Sequence, residues 1–151
     1  MTGGHDNFVQ AWDLLSGEPI GTPMTGIDPM VEEIALTEID GEAVVVASGG
    51  GWDDCALHLW SLDTQERIGP RLTGHGSSMG ILRTATVAGR SIALTSGSHG
   101  LSSWDLARGE QVGEVLADHS LRMITEVAGA PVAVVSRNGA IRLWDLAALI
   151  A

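Results

Sequence analysis

The chain of 151 residues has one cysteine, 8 basic side chains against 19 acidic ones, and no long hydrophobic run. Each shortage closes off a class of protein. A single thiol, Cys55, permits neither an intramolecular disulfide nor a thiolate metal cluster, so a core rather than a staple has to hold the fold. Its plain reading is a small, partly buried thiol. A net charge of −11 repels a phosphate backbone, and nucleic acid is not an expected partner. The apolar run Ala43 to Ala47 is far shorter than the roughly 20 residues a membrane-spanning helix needs. No basic stretch leads into an apolar one at the N-terminus, so no membrane partner is expected and the expected location is cytoplasmic. There is no Gly-rich loop ending in Lys-Ser or Lys-Thr to cradle phosphate, and no His-x-x-x-His pair to ligate a metal. No cofactor is expected.

What is present is repetition. Trp12, Trp60, Trp104 and Trp144 follow one another at intervals of 48, 44 and 40 residues. After each of the first three, Glu stands at the sixth position (Glu18, Glu66, Glu110) and a β-branched residue at the eighth (Ile20, Ile68, Val112). Gly follows at the ninth (Gly21, Gly69, Gly113) and an apolar residue at the twelfth (Met24, Leu72, Leu116). The register closes near a Gly-His-like pair: Gly26-Ile27, Gly74-His75 and Asp118-His119. A period of this length signals an array of equivalent units, each too small to bury its apolar surface alone.

The units read as β-structure. Val44 to Ala47, Ile92 to Thr95 and Val132 to Val135 are apolar on both faces of a short strand, which requires cover on both sides. Each is introduced by a turn signal, Asp40-Gly41, Ala88-Gly89-Arg90 or Ala128-Gly129-Ala130-Pro131, and each leads through a second turn to the Trp strand. The segments before those turns, Val31 to Ile39, Ile81 to Val87 and Leu121 to Val127, have strand length and composition. The expectation is an all-β chain of about thirteen short antiparallel strands without long helices.

These residues carry a family resemblance. With Trp-Asp-Leu at 12 to 14, 104 to 106 and 144 to 146, Trp-Ser-Leu at 60 to 62 and Gly-His at 74 to 75, the chain resembles part of a WD-repeat β-propeller. The resemblance implies a partial propeller of about three to four blades, in which one chain does not close the ring. Residues 1–24 would give strands c and d of a first blade (Asn7 to Leu14, Glu18 to Met24), 31–72 a second and 80–116 a third. Residues 121–151 would form a fourth that lacks most of strand d. The Trp strands would be Ala56 to Leu62, Leu101 to Leu106 and Ala140 to Leu146, and the outer strands about Glu66 to Leu72 and Glu110 to Leu116. A closed propeller needs at least about four blades of about 40 to 45 residues each. The chain is therefore expected to be the C-terminal part of a longer propeller protein, as in some bacterial propeller proteins, and to self-associate or pair with the missing blades through open apolar faces.

The family's structural tetrad joins a Gly-His histidine, a strand-b Ser or Thr, an Asp six residues before Trp, and the indole. Carried over by position, it is incomplete everywhere. Asp6 and Asp54 precede Trp12 and Trp60, but Ile27 replaces the histidine of the second blade. The third has Gly74-His75 with Ser98 in place of Asp, and the fourth His119 with Asn138. The sheets are accordingly expected to rest chiefly on apolar packing. Together with Trp12-Asp13, Trp60, Trp104-Asp105 and Trp144-Asp145, these are the structural residues of the repeat.

Chemistry finds no single constellation. Ser96, His99 and Asp105, or Asp118, His119 and Ser120, hold the residue types of a nucleophile and base, but recurrence at equivalent repeat positions favours structural roles. The loop Gly49 to Asp54 lacks the alternating oxygen ligands of a calcium site. Binding remains. Trp52 stands outside the Trp register in a turn, and an exposed aromatic can anchor a partner. On the resembled fold, the b–c and d–a turns share one end and place there His5, Trp52, Asp53, His75, His99, His119 and Arg137, a polar surface suited to a protein or peptide. The expectation is a noncatalytic scaffold. A fragment without independent function, and a hydrolase or lyase using the same turn end, are the alternatives.

Overall fold

The computed structural model describes residues 1–3, 6–51, 55–76 and 79–151. Fourteen strands and one helical turn are present among them, arranged as four antiparallel sheets in chain order. The first sheet comprises β1 (Thr2–Gly3), β2 (Phe8–Trp12) and β3 (Pro19–Thr25). The second runs β4 (Val31–Ile39), β5 (Glu42–Gly49), β6 (Ala56–Ser61) and β7 (Leu72–Thr73). The third comprises β8 (Met79–Val87), β9 (Arg90–Gly97), β10 (Gly100–Asp105) and β11 (Glu110–Leu116). The last holds β12 (Ser120–Val127), β13 (Ala130–Arg137) and β14 (Ala140–Asp145), followed by α1 (Leu146–Leu149). Each strand pairs with its neighbour in sequence, so every sheet is a meander.

Local chemistry explains the hairpins. In Asp40-Gly41, Ala88-Gly89, Ala128-Gly129 and Asn138-Gly139 both central residues have positive φ, from 50° to 83°. That is the twist of a two-residue type I′ turn, which matches the right-handed twist of the strands it joins. Asp and Asn tolerate this region, whereas an alanine Cβ clashes there. Ala88→Asn and Ala128→Asn should each raise stability by about 0.5 to 1 kcal/mol; urea unfolding would show it as a higher midpoint at unchanged slope, and an unchanged midpoint would speak against the turn assignment.

The recurring glycine nine positions after Trp has a physical cause. Gly21, Gly69 and Gly113 adopt φ of 65°, 62° and 70°. In the first and third sheets it sits where the outer strand slips relative to the Trp strand, between Ala11↔Ile20 and Val9↔Met24 and between Ser103↔Val112 and Leu101↔Leu116. A Cβ on Gly21 would lie 2.2 Å from the Gln65 side chain of the second sheet, and one on Gly113 would lie 2.5 Å from the Leu149 carbonyl oxygen. At Gly21 and Gly113 the missing Cβ thus lets the next sheet's segment after the Trp strand come close, whereas Gly69 has open space there and serves by its positive φ alone.

The apolar strands β5 and β9 alternate between two neighbours, as period-two geometry requires, and β13 turns one face to the third sheet. Val45 and Ala47 join Val9, Met24, Ile27 and Trp60 in a core between the first and second sheets. Val44 and Val46 face the other way, into a core with Leu57, Leu59 and Trp104 between the second and third. Ile92, Leu94 and Leu101 pack with Leu121, Ala133 and Val135 between the third and fourth. Polar links cross the same seams: Thr84 Oγ1 donates to the Leu36 carbonyl at 2.8 Å, Arg83 pairs with Glu33 at 3.1 Å, and Leu121 N donates to Ser96 Oγ at 3.2 Å. Cys55 is buried, and burial, followed by the Glu32 carboxylate that its thiol contacts at 3.4 Å, pushes its pKa up to about 12. The thiol stays protonated and unreactive.

Three details differ from the sequence reading. The outer strand expected over Glu66 to Leu72 shrinks to β7 and an isolated bridge between Trp60 and Arg67, because Gly69-Pro70 interrupts the ladder. The first sheet gains β1, paired with β2 through Thr2↔Gln10. After Trp144, the chain forms the turn α1 in place of the start of an outer strand; Asp145 caps it by accepting from Ala147 N at 2.8 Å.

Candidate functional site

The repeat positions come together at the indoles. Trp60 and Trp104 are 2% and 4% exposed, whereas Trp12 is 39% exposed. Along the Trp strands Leu57 and Leu101 face the following sheet and the ring three positions on faces the other way, so Trp60 and Trp104 are turned toward the preceding sheet. Trp12 instead lines a half-open pocket with Ile20, Leu36, Leu62 and Gln65.

The third sheet builds a hydrogen-bonded triad that the search for an Asp overlooked. Trp104 Nε1 donates to Thr95 Oγ1 at 3.2 Å, and His75 Nδ1 lies 3.1 Å from the same hydroxyl. His75 Nε2 lies 3.1 Å from the Leu72 carbonyl oxygen. A carbonyl only accepts, so Nε2 carries the proton, Nδ1 accepts from the Thr95 hydroxyl, and that oxygen accepts from the indole. The His75 and Trp104 rings lie 4.2 Å apart. The expectation of chiefly apolar packing is corrected at this sheet: its buried indole N–H is satisfied by Thr95, and Ser98 in the Asp position is exposed. Burial lowers the His75 pKa from 6.5 to about 4, with the Leu72 hydrogen bond a smaller opposing effect. The ring is therefore neutral near pH 7.

The equivalent places elsewhere are filled differently. Around Trp60, buried Ile27 stands where His75 stands in the next unit; the His58 ring stacks at 5.9 Å, and the Arg67 guanidinium carbon lies 5.9 Å from the indole centroid while its nitrogen donates to His58 Nδ1. In the fourth sheet His119 meets Trp144 edge-on at 5.5 Å and bonds through Nδ1 to the Ala117 carbonyl at 2.8 Å. The residue after Trp also has a recurrent task. Asp13 accepts from Leu15 N and Ser16 N at 2.7 and 3.1 Å, Ser61 from Thr64 N at 3.3 Å, and Asp105 from Arg108 N at 3.1 Å. These bonds satisfy the turn that follows the Trp strand, which is the physical reason for the Trp-Asp signature. They also hold the Asp13 carboxyl below its usual range.

The turn residues singled out for binding divide into three groups. His75 and His119 are buried, so their side chains serve packing. His99 and Arg137 are exposed. His5, Trp52, Asp53 and also Asp54 lie outside the described residues, while Asp6 is exposed in the turn before β2. The turn end is nevertheless a shared surface: a Cβ on Gly76 would lie 2.8 Å from Ser98 Oγ and 2.9 Å from the His99 ring, so the Gly-His connection abuts the β9–β10 turn.

The candidate trio Ser96, His99 and Asp105 does not assemble. Ser96 pairs with Leu101 and Asp105 with Ile92, which separates them by four residues of strand, roughly 13 Å. Ser96 accepts from Leu121 N, and Asp105 is held at the opposite end by Arg90, whose Nη2 and Nε lie 2.7 and 2.8 Å from one carboxylate oxygen. Burial alone would raise the Asp105 pKa, but the bonds from Arg90 and the Arg108 amide outweigh it and the net shift is downward. Sequence reading passed over this cluster because the partners lie 15 residues apart across a hairpin; Arg90 directly after the Ala88-Gly89 turn was the available signal. Among the described residues, no group of three His, Cys, Asp or Glu side chains could hold a metal ion, and no helix is long and apolar enough to cross a membrane. Neither a model of a known protein family nor a curated protein matches the chain.

Proposed function

We propose that the chain is a WD-repeat-like section of a β-propeller and acts as a noncatalytic scaffold for protein or peptide contact. The second and third sheets are its complete blades, and the first and fourth are incomplete ones. The observation that carries this reading is the equivalence of successive sheets, with the position after Trp spent on turn capping and the polar groups beside Trp104 spent on an internal triad. Side chains committed to hydrogen bonds inside the fold are poor nucleophiles and bases, while the turn end keeps His99 and Arg137 exposed. A net charge of −11 favours a partner other than nucleic acid.

The test is a pull-down on the immobilised chain with His99→Ala and Arg137→Ala as the comparison. Binding that falls several-fold in the double variant, with an unchanged circular dichroism spectrum, is the expected result. Equal capture by both forms would remove the turn end from consideration.

A further inference from the structure

The seam between the second and third sheets opens, at the strand ends away from His99 and Arg137, into a cleft whose two walls carry opposite charge. One wall is the β4–β5 hairpin, which brings Glu38, Asp40 and Glu42 around a single turn. The other carries Arg90 at the start of β9 and Arg108 after the third Trp strand. A half-open cavity of about 460 Å³ lies between Glu38 and Asp40 on one side and Arg90, Asp105 and Arg108 on the other. A second of about 380 Å³ adjoins it, sharing Ile39, Asp40 and Ala107 and reaching Glu42, Ile68 and Leu106. The repeat does not call for the arginines. Trp104 lies opposite Ala93, Trp60 opposite Val45 and Trp144 opposite Ala133. By that register Glu42 and Ala130 stand where Arg90 stands, and Thr64 and Ala148 where Arg108 stands, so the backbone that the units share leaves the charged wall unexplained.

The walls stay apart. Among the described residues neither arginine makes an ion pair with Glu38, Asp40 or Glu42; both turn to Asp105, which is 2% exposed. Arg90 uses Nε and Nη2 there, while Arg108 Nε stands 3.9 Å away, beyond hydrogen-bond reach, and its side chain is 68% exposed. One carboxylate thus holds two guanidiniums, which leaves one positive charge and several N–H donors at the cleft. An anion alone would meet the acidic wall, and a cation alone the basic one. We infer that the cleft seats an extended peptide segment of a partner in which an acidic and a basic residue are neighbours, the carboxylate between Arg90 and Arg108 and the cation against Glu38 and Asp40. Successive side chains of an extended backbone point in opposite directions, so adjacent residues reach opposite walls. Two adjoining cavities suit a chain better than a single small zwitterion. Asp105 is then a positioning residue that holds Arg90 back from the acidic wall. The cleft is a different surface from the turn end, so this inference and the scaffold test on His99 and Arg137 fail separately.

Amide NMR titration of the full chain with end-capped hexapeptides tests it. A peptide of alternating Glu and Lys should shift the signals of Gly41, Gly89 and Ala107 and leave those of His99 and Asn138 in place, with an affinity that falls as salt is raised. A block peptide of the same composition, all Glu followed by all Lys, puts both signs on each side of its backbone and should bind about tenfold more weakly, as should an all-Glu peptide. Arg108→Gln and Asp40→Asn should each weaken the alternating peptide about five- to tenfold. Both variants should fold, because Arg108 is largely exposed and Asn tolerates the φ of 52° at position 40, and an unchanged circular dichroism spectrum checks this. Equal binding of the alternating and block peptides would overturn the inference by reducing the effect to composition. So would an all-Glu peptide that binds best, an affinity that neither substitution changes, or signals at the cleft that do not move at all.

Discussion

Replacing Trp104 with alanine should cost about 3 to 5 kcal/mol of folding stability, the range for deleting a large aromatic from a packed core. The ring is 4% exposed, packs with Leu57 and Leu59 of the neighbouring sheet, and donates its N–H to Thr95. Alanine loses the apolar contact between two sheets, leaves a cavity, and frees the Thr95 hydroxyl of one partner. Trp104→Phe retains most of the contact and loses chiefly the hydrogen bond, about 1 kcal/mol. The control is Trp12→Ala, where 39% exposure limits the loss to about 1 kcal/mol or less. Urea unfolding of the three variants measures the series. Similar losses at Trp12 and Trp104 would mean that the two indoles are not distinguished by a covering sheet.

Acid should weaken the fold through His75 before it acts on the carboxylates. The His75 pKa is depressed in the folded chain, from 6.5 to about 4, because burial disfavours the cation. The unfolded chain therefore takes up the proton first as pH falls. Stability contributed by the neutral ring is complete above about pH 6.5 and is lost progressively toward pH 4, below which both states are protonated. Near pH 4.5 the loss is about 2 to 3 kcal/mol relative to pH 7. Asp105, whose pKa is lowered from 3.8, makes its contribution above that value and loses it at lower pH, outside this window. His75→Gln should flatten the pH dependence between about pH 4.5 and 7 while lowering stability at pH 7 by about 1 kcal/mol. The readout is the unfolding free energy of both proteins at the two pH values; an equal drop in each would assign the acid sensitivity to other groups.

These two expectations also mark where the sequence was legible. Turn chemistry is local, and the glycines of Asp40-Gly41, Ala88-Gly89 and Ala128-Gly129 identified the hairpins because glycine accepts the positive φ such turns require. The Trp register was legible because a ring, a turn-capping residue and a glycine have to recur wherever the same backbone recurs. Environment was not legible. Trp12 and Trp104 occupy the same register position, yet one ring is 39% exposed and the other 4%. The short β7 was missed because the Glu66 to Leu72 pattern matches Glu110 to Leu116, with Gly69-Pro70 as the one local warning. The triad around Trp104 was missed because the Asp position was searched, while Thr95, with one donor and two acceptor sites, satisfies both the indole and the histidine. His119 looked like a surface turn residue, and its burial against Trp144 depends on an element 25 residues away.

The central claim is that successive sheets are equivalent and that each buried indole is turned toward the sheet before it. Nuclear Overhauser contacts from the assigned indole ring protons test this most directly. The account predicts that the Trp60 ring reports methyl groups of Val9 and Met24 in the first sheet, and that the Trp104 ring reports Leu57 and Leu59 in the second. A Trp104 ring seen instead against Val135 or Leu121 of the fourth sheet would contradict it.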